Sequence, residues 1–240
     1  MILTGHQPEY LPYIGFFNKI IHADKFVLVD HVQFNKKNWQ NRNKVRTVDG
    51  WVWLTVPVYS KNKFTQNMNE VEINNTINWR DKHWKTIYLN YRKAPYFNDF
   101  ADFFKNIYTR SWTKLVNLNE EIIRYLFTIL KINIEIYKSS ELNVEGKKTD
   151  LVIDLCKKLN ADAYLSGEGA KEYINESIFR ETGLKSYFRE MKHPIYKQRF
   201  ESFEPYMSVI DLLFNCGAKK SRKIIYDCGK IILQKGGNNE

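Results

Sequence analysis

The sequence is poor in cysteine and has no long apolar run. Its three cysteines, Cys156, Cys216 and Cys228, are odd in number and show no CxxC spacing, which argues against a disulfide framework and against a thiolate zinc site. Buried thiols are the expectation. No apolar stretch approaches the roughly 18 residues of a membrane span, and no basic segment followed by an apolar core opens the chain, so neither a transmembrane helix nor a signal peptide is expected. A cytoplasmic protein is the corresponding reading. Internal repeats, low-complexity tracts and Gly/Ser linkers are missing as well. So are the GxSxG elbow, the P-loop, the GxGxxG dinucleotide fingerprint and any helix-turn-helix, RNA-recognition or zinc-finger pattern.

What is present is apolar, aromatic and basic. With 43% apolar and 15% aromatic residues over 240 positions, the chain can bury a sizeable core and is not disordered. Its 37 basic against 27 acidic residues give a net charge of +10, which favours anionic partners. Among these, the missing motifs make nucleic acid the weaker choice and a small anionic molecule the stronger. Two basic clusters stand out, Lys36, Lys37, Arg42, Lys44 and Arg46 without an intervening acid, and Lys219, Lys220, Arg222 and Lys223. The first also holds Trp39, Gln40 and Asn41.

Hydrophobic periodicity indicates an α/β fold. Ile2–Thr4, a helix over about 12–23 and the apolar run "KFVLVDHVQF" (25–34) make a βαβ unit. Asp49-Gly50, between two β-rich runs, predicts a hairpin. Residues 79–130 carry apolar residues at helical spacing and read as three amphipathic helices, a helical insertion or subdomain within one α/β domain spanning 1–240. "INIEIY", a helix over 151–159, "ADAYLSG", a helix in "EGAKEYINESIFRETG" and "LKSYFREM" resume the alternation. Helices over 207–216, ended by Gly217, and about 219–234 close the chain. The expected architecture is three-layer, with a mostly parallel sheet.

In such sheets ligands bind outside the carboxyl ends of the strands. The opening "MILTGHQPEY" therefore places His6 and Gln7 in a first crevice, with Gln33 near a second strand end and Ser166 and Gly167 at a third. In "SGEGAKEY" the glycines let backbone amides approach an anion, and Lys171 adds a point charge. His6 titrates near neutrality and suits proton transfer, against the plainer reading of a hydrogen-bonded structural histidine. His6, His31 and His193 are too scattered for a metal site, and neither a metal nor a cofactor is expected. Ser208 and Asp211 have the spacing of a helix capping box.

"HQPEYLPYIGFF", "DHVQFNKKNWQNRNKV", "GWVWLTVPV", "YLSGEGAKEYI" and "HPIYKQRFESFEPYMSVIDLLFNCG" resemble, in order and over nearly the whole chain, the signatures of the WbqC-like family. The resemblance implies a bacterial protein of O-antigen or other surface polysaccharide biosynthesis, transferring glycine or a similar small group during sugar modification. Positions matching the family's polar motifs are His6, Gln7, Tyr10, Gln33, Trp39, Gln40, Asn41, Arg42, Ser166, Gly167, His193, Gln198, Asp211 and Asn215. One departure is His31, where the family more often has a second aspartate after Asp30. The opening also resembles that of nucleotidylyltransferase-like enzymes of the pantothenate-synthetase type, although their H-x-G-H pattern is missing.

Together these readings lead to an enzyme that acylates an amino group or hydroxyl of a nucleotide-linked sugar. Arg42, Lys36 and the 166–169 turn would hold phosphate, His6 or His193 would take the proton, with Asp211 a further catalytic candidate, and Gln7, Gln40 and Asn41 would orient substrate or stabilise an oxyanion. Tyr10 and Trp39 would stack on a base or sugar ring. The rival is a non-catalytic nucleotide- or saccharide-binding protein. Either way, His6 and Gln7 are expected to meet Arg42, Ser166 and Asp211 around one concavity.

Overall fold

A computed structural model describes residues 1–63, 65–172 and 174–233. Strand β1 (Ile2–His6) leads through helix α1 (Ile14–Ile20) to β2 (Lys25–Leu28). A hairpin follows, β3 (Arg42–Thr47) and β4 (Gly50–Thr55), and then three helices, α2 (Trp79–Tyr91), α3 (Phe97–Thr109) and α4 (Leu115–Ile129). The chain returns through β5 (Glu135–Lys138), α5 (Thr149–Lys158), β6 (Ala163–Ser166), α6 (Glu176–Glu181) and β7 (Lys185–Met191). It closes with α7 (Val209–Asp227) and β8 (Gly229–Leu233).

Six strands form one sheet in the order β5-β2-β1-β6-β7-β8, while β3 and β4 form a separate two-stranded sheet. All neighbours in the large sheet are parallel except β7 and β8. Because side chains alternate across a strand, β2 sends Phe26 and Leu28 to one face and Val27 to the other. The first face packs against α1, the α2–α4 block and α7 in one apolar cluster. On the second, Leu3, Val27 and Val29 meet Leu151, Val152 and Leu155 of α5 and Phe179 of α6. The molecule is mixed α/β, a mostly parallel sheet flanked by helices, with an added antiparallel hairpin. Among the described residues no helix is long and apolar enough to cross a membrane.

Three sequence expectations are corrected. The strand predicted over 25–34 stops at Leu28; beyond it Asp30 turns away to accept hydrogen bonds from Ser140 N and Oγ at 2.9 and 2.7 Å. The single helix predicted after β6 is a short 3₁₀ turn at Glu168–Glu172 and then α6. Asn175 starts that second helix afresh, its Oδ1 accepting from Ser177 N and Oγ at 3.1 and 2.6 Å, as a helix-capping side chain does. The helix predicted to 234 ends at Asp227, and the β-branched "GKIIL" pairs antiparallel with β7 instead.

Gly217 ends the first helical half of α7, as its position in the sequence led one to expect, and bends the chain into the second. Its φ of 71° and ψ of 165° lie in a region essentially confined to glycine, and a Cβ there would sit 2.8 Å from the Tyr96 ring. The bend lets Phe214 lie against Tyr91, Phe97 and Phe104, with ring centroids 5.1–5.8 Å apart. Gly217→Ala is therefore expected to cost about 1–3 kcal/mol from backbone strain alone, a fall of roughly 4–10 °C in Tm for a chain of this size, read by thermal denaturation. An unchanged Tm would mean that the bend is not fixed by this residue.

Candidate functional site

The ladder between β1 and β6 pairs only Ile2 with Ala163 and Leu3 with Tyr164, so the two strands part before their carboxyl ends. Tyr164 Oη takes a hydrogen bond from Gly5 N at 3.1 Å in the gap. Above it lies a cleft of two lobes that share His6, Lys19, Gly167 and Gly169. The larger lobe, about 410 Å³, is walled by Val29, Val32, Leu151, Val152 and Leu155, with Lys148 and Gln7 at its margin. The smaller, about 300 Å³, is polar and contains Tyr13, Glu168 and Arg189.

Four ionisable side chains are gathered here, three of them nearly sealed from water and the fourth, His6, part-exposed. Lys19 and Glu9 are each 5% exposed and Arg189 is 7% exposed. Lys19 Nζ donates to Gly5 O at 2.8 Å. Arg189 donates through Nη1 to Gly15 O at 2.5 Å and through Nη2 to Tyr13 Oη at 3.4 Å. A Cβ at residue 15 would lie 2.5 Å from Arg189 Nη1, so glycine is what lets the guanidinium reach the start of α1. His6 Nδ1 lies 3.0 Å from Gln7 O; the carbonyl can only accept, which puts the proton on Nδ1 and leaves Nε2 as an acceptor. That nitrogen is 3.7 Å from Glu9 Oε1, and Glu9 Oε2 is buried without a hydrogen-bond partner among the described residues.

Burial decides the charge states. It lowers His6 to about 3, helped by the charge on Lys19. It raises Glu9 to about 8 despite the neighbouring Lys19 and Arg189. Lys19 falls to about 7 through burial and the Arg189 charge, against the pull of Glu9. Desolvation penalises whichever form is charged, so the cleft holds a neutral imidazole beside a carboxyl and an amine that both exchange protons near neutrality. An imidazole this weakly basic serves as a hydrogen-bond acceptor at neutral pH rather than as a proton store.

The residues expected to converge do so only in part. His6, Gln7 and Gly167 line the cleft; Ser166 ends β6 beside it, 2% exposed, its Oγ without a hydrogen-bond partner among the described residues. Gln40 is one step behind, donating from Nε2 to Gln7 Oε1 at 2.5 Å. Trp39 stacks on Tyr13, with centroids 6.3 Å apart, and so backs the polar lobe. The Lys171 side chain lies outside the described residues.

The remaining positions lie elsewhere. Asp211 is fully buried and accepts from Tyr91 Oη at 2.9 Å, Tyr196 Oη at 2.8 Å and Gln198 Nε2 at 2.9 Å, while Asn215 donates to its backbone oxygen at 2.7 Å. Its side chain joins these helices and loops instead of capping α7. Burial pushes the Asp211 carboxyl upward, opposed by its three donors. His193 is held by backbone on both sides, Nδ1 at 3.0 Å from Pro194 O and Nε2 accepting from Tyr206 N at 3.0 Å. Tyr10 is buried on His83 and Tyr108, and Asn41 donates to Val56 O. Arg42 lies over the Trp53 ring on the hairpin. Lys36 is exposed, and Gln33 bridges to Asn67 through its backbone. Among the described residues no group of three or more His, Cys, Asp or Glu side chains is placed to hold a metal ion.

The sequence reasoning passed over Glu9, Lys19 and Arg189. The available signal was Lys19 inside "IGFFNKI", a helix whose seven residues are all buried. A lysine seldom enters such a segment without a partner.

The family model of the WbqC-like protein family matches residues 7–223. The chain belongs to the WbqC-like family. It is also 34% identical over 215 residues, 89% of this chain and 93% of the other, to the uncharacterized protein Rv1507c of Mycobacterium tuberculosis. No solved structure matches it. The match begins at Gln7, directly after β1, and takes in α1 and the carboxyl ends of β2, β6 and β7.

The Glu9 shift has a direct consequence. Unfolded, the carboxyl loses its proton near 4.5; folded, it keeps it until about 8. Between these values the unfolded state binds fewer protons, so raising the pH favours unfolding through this group. Glu9→Gln is expected to gain stability relative to the unsubstituted protein by several degrees in Tm from pH 5 to pH 8, measured by thermal scans at both values. A constant difference would show that Glu9 ionises normally.

Proposed function

We propose that this WbqC-like protein is a cytoplasmic transferase of surface polysaccharide biosynthesis, including O-antigen. In this reading it attaches glycine or a similar small acyl group to an amino group or hydroxyl of a nucleotide-linked sugar. The observation that carries the reading is the placement of two enclosed basic side chains, Lys19 and Arg189, beside a neutral histidine where two lobes of one cleft meet. The larger lobe, with its aliphatic wall and Lys148, suits a nucleoside and its phosphates, and the smaller polar lobe suits the group transferred. His6 Nε2 accepts a hydrogen bond from the reacting partner, and the turn at Gly167–Gly169 offers backbone donors to an anion. The similarity of the opening βαβ unit to nucleotidylyltransferase-like enzymes is in keeping with phosphate bound at the first strand end.

The reading is tested by incubating UDP-linked amino sugars with acyl and aminoacyl thioesters, with and without the protein, and searching the mixtures by mass spectrometry. A defined mass gain on the sugar nucleotide that needs the protein is the expected result. His6→Ala is expected to keep sugar-nucleotide binding and to lower the rate of product formation by about 100-fold or more. Binding with no mass gain across the panel would leave a binding protein in place of a transferase.

A further inference from the structure

Lys19 stands where the two lobes of the cleft join. It projects from α1 to the waist of the cleft, borders both lobes, and is 5% exposed. Its one hydrogen bond among the described residues is to Gly5 O at 2.8 Å, which fixes the nitrogen beside the end of β1 while the side chain lines both lobes. His6 faces it from the end of β1, Glu9 from the segment that follows, Arg189 from β7, Glu168 from the turn after β6 and Lys148 from the start of α5. Arg189 and Lys148 are cationic, and Glu9, the enclosed acid, keeps its own proton up to about 8. Burial and the guanidinium thus favour an uncharged amine.

We propose that Lys19 is the proton acceptor of the cleft, serving a nucleophilic amine or hydroxyl in one lobe as it attacks an activated acyl carbon in the other. The proposal rests on the acyl-transfer reading. As the nucleophile's nitrogen or oxygen bonds to the acyl carbon, its proton passes to Lys19 Nζ, giving an ammonium. The bond to the thiolate or phosphate leaving group breaks with its electron pair, and the ammonium returns the proton to that group or to solvent. Neutral His6 accepts a hydrogen bond, and Arg189 holds negative charge in the polar lobe.

Two measurements test this. The first is independent of the reaction: the native protein is labelled with trace acetic anhydride from pH 5 to pH 11 and each lysine is followed by peptide mass spectrometry. Lys19 is expected to become reactive about three pH units below exposed Lys82 and Lys85. Titration together with those lysines, or no labelling at any pH, overturns the proposal. The second uses the thioester and UDP-sugar pair that gives product. Lys19→Ala and Lys19→Arg are expected to lose about 100-fold or more in kcat with KM changed by less than about threefold, and small primary amines are expected to restore part of the Lys19→Ala rate. A structural lysine would not be rescued by an amine in solution. Product from the unsubstituted protein together with near-normal kcat in both variants, or with a loss that no amine restores, overturns the Lys19 proposal alone. A reactive Lys19 in a protein that yields no product overturns the acyl-transfer reading and this role with it.

Discussion

Because β1 sends its following helix to one face of the sheet and β6 sends its own to the other, no helix closes the gap between their carboxyl ends. Taken in chain order, the five parallel strands are arranged 3-2-1-4-5, so the reversal falls between β1 and β6. Such switch points are where doubly wound sheets bind ligands. The short β1–β6 ladder widens the gap, and α1 forms one of its walls. The site depends on this opening, where a side chain is shielded by both helical layers and still reaches a cavity.

The helical block and the hairpin serve the opening indirectly. Asn119 of α4 donates from Nδ2 to Pro8 O at 3.0 Å and to Gln40 O at 2.8 Å, and Asn43 of β3 donates to Leu11 O at 2.7 Å. The segment after β1 is thereby tied to two elements that never touch the cleft. The same segment places Glu9 against His6 and positions Gly15, whose carbonyl binds Arg189. Packing on one side of the sheet thus fixes the spacing of charges on its edge. That cluster is costly to bury, and the pKa shifts of His6, Glu9 and Lys19 register the cost: each departs toward its uncharged form.

How much of this was legible in the sequence follows from the range of each signal. Periodicity is local, and it located β1, α1, the hairpin at Asp49-Gly50, the helices over 79–130 and β6 and β7. It failed where two local preferences competed. Asn175 restarts a helix that the apolar pattern alone would have continued, and β7 recruits residues 229–233 into the sheet through a contact no local pattern encodes. At the site, His6, Gln7 and Gly167 were legible because a strand end followed by polar residues is itself a local pattern. Arg189 was not, because it lies within a strand and reaches the cleft only through its contact with Gly15, 174 residues away. Asp211 illustrates the converse: a carboxylate at the first turn of a helix has the spacing of a cap, yet the tertiary structure brings two tyrosines and a glutamine to it. Motif matching selects polar residues that must be kept and does not separate those that bind a ligand from those that hold the core.

The central claim is that an anionic small molecule binds where the sheet parts. The measurement that meets it most directly is amide hydrogen exchange of the full chain with and without a UDP-linked amino sugar. The account predicts slowed exchange in residues 5–7, 14–19 and 167–170, with the hairpin at 42–55 unchanged. Slowing confined to the hairpin, or to the surroundings of Asp211, would contradict it.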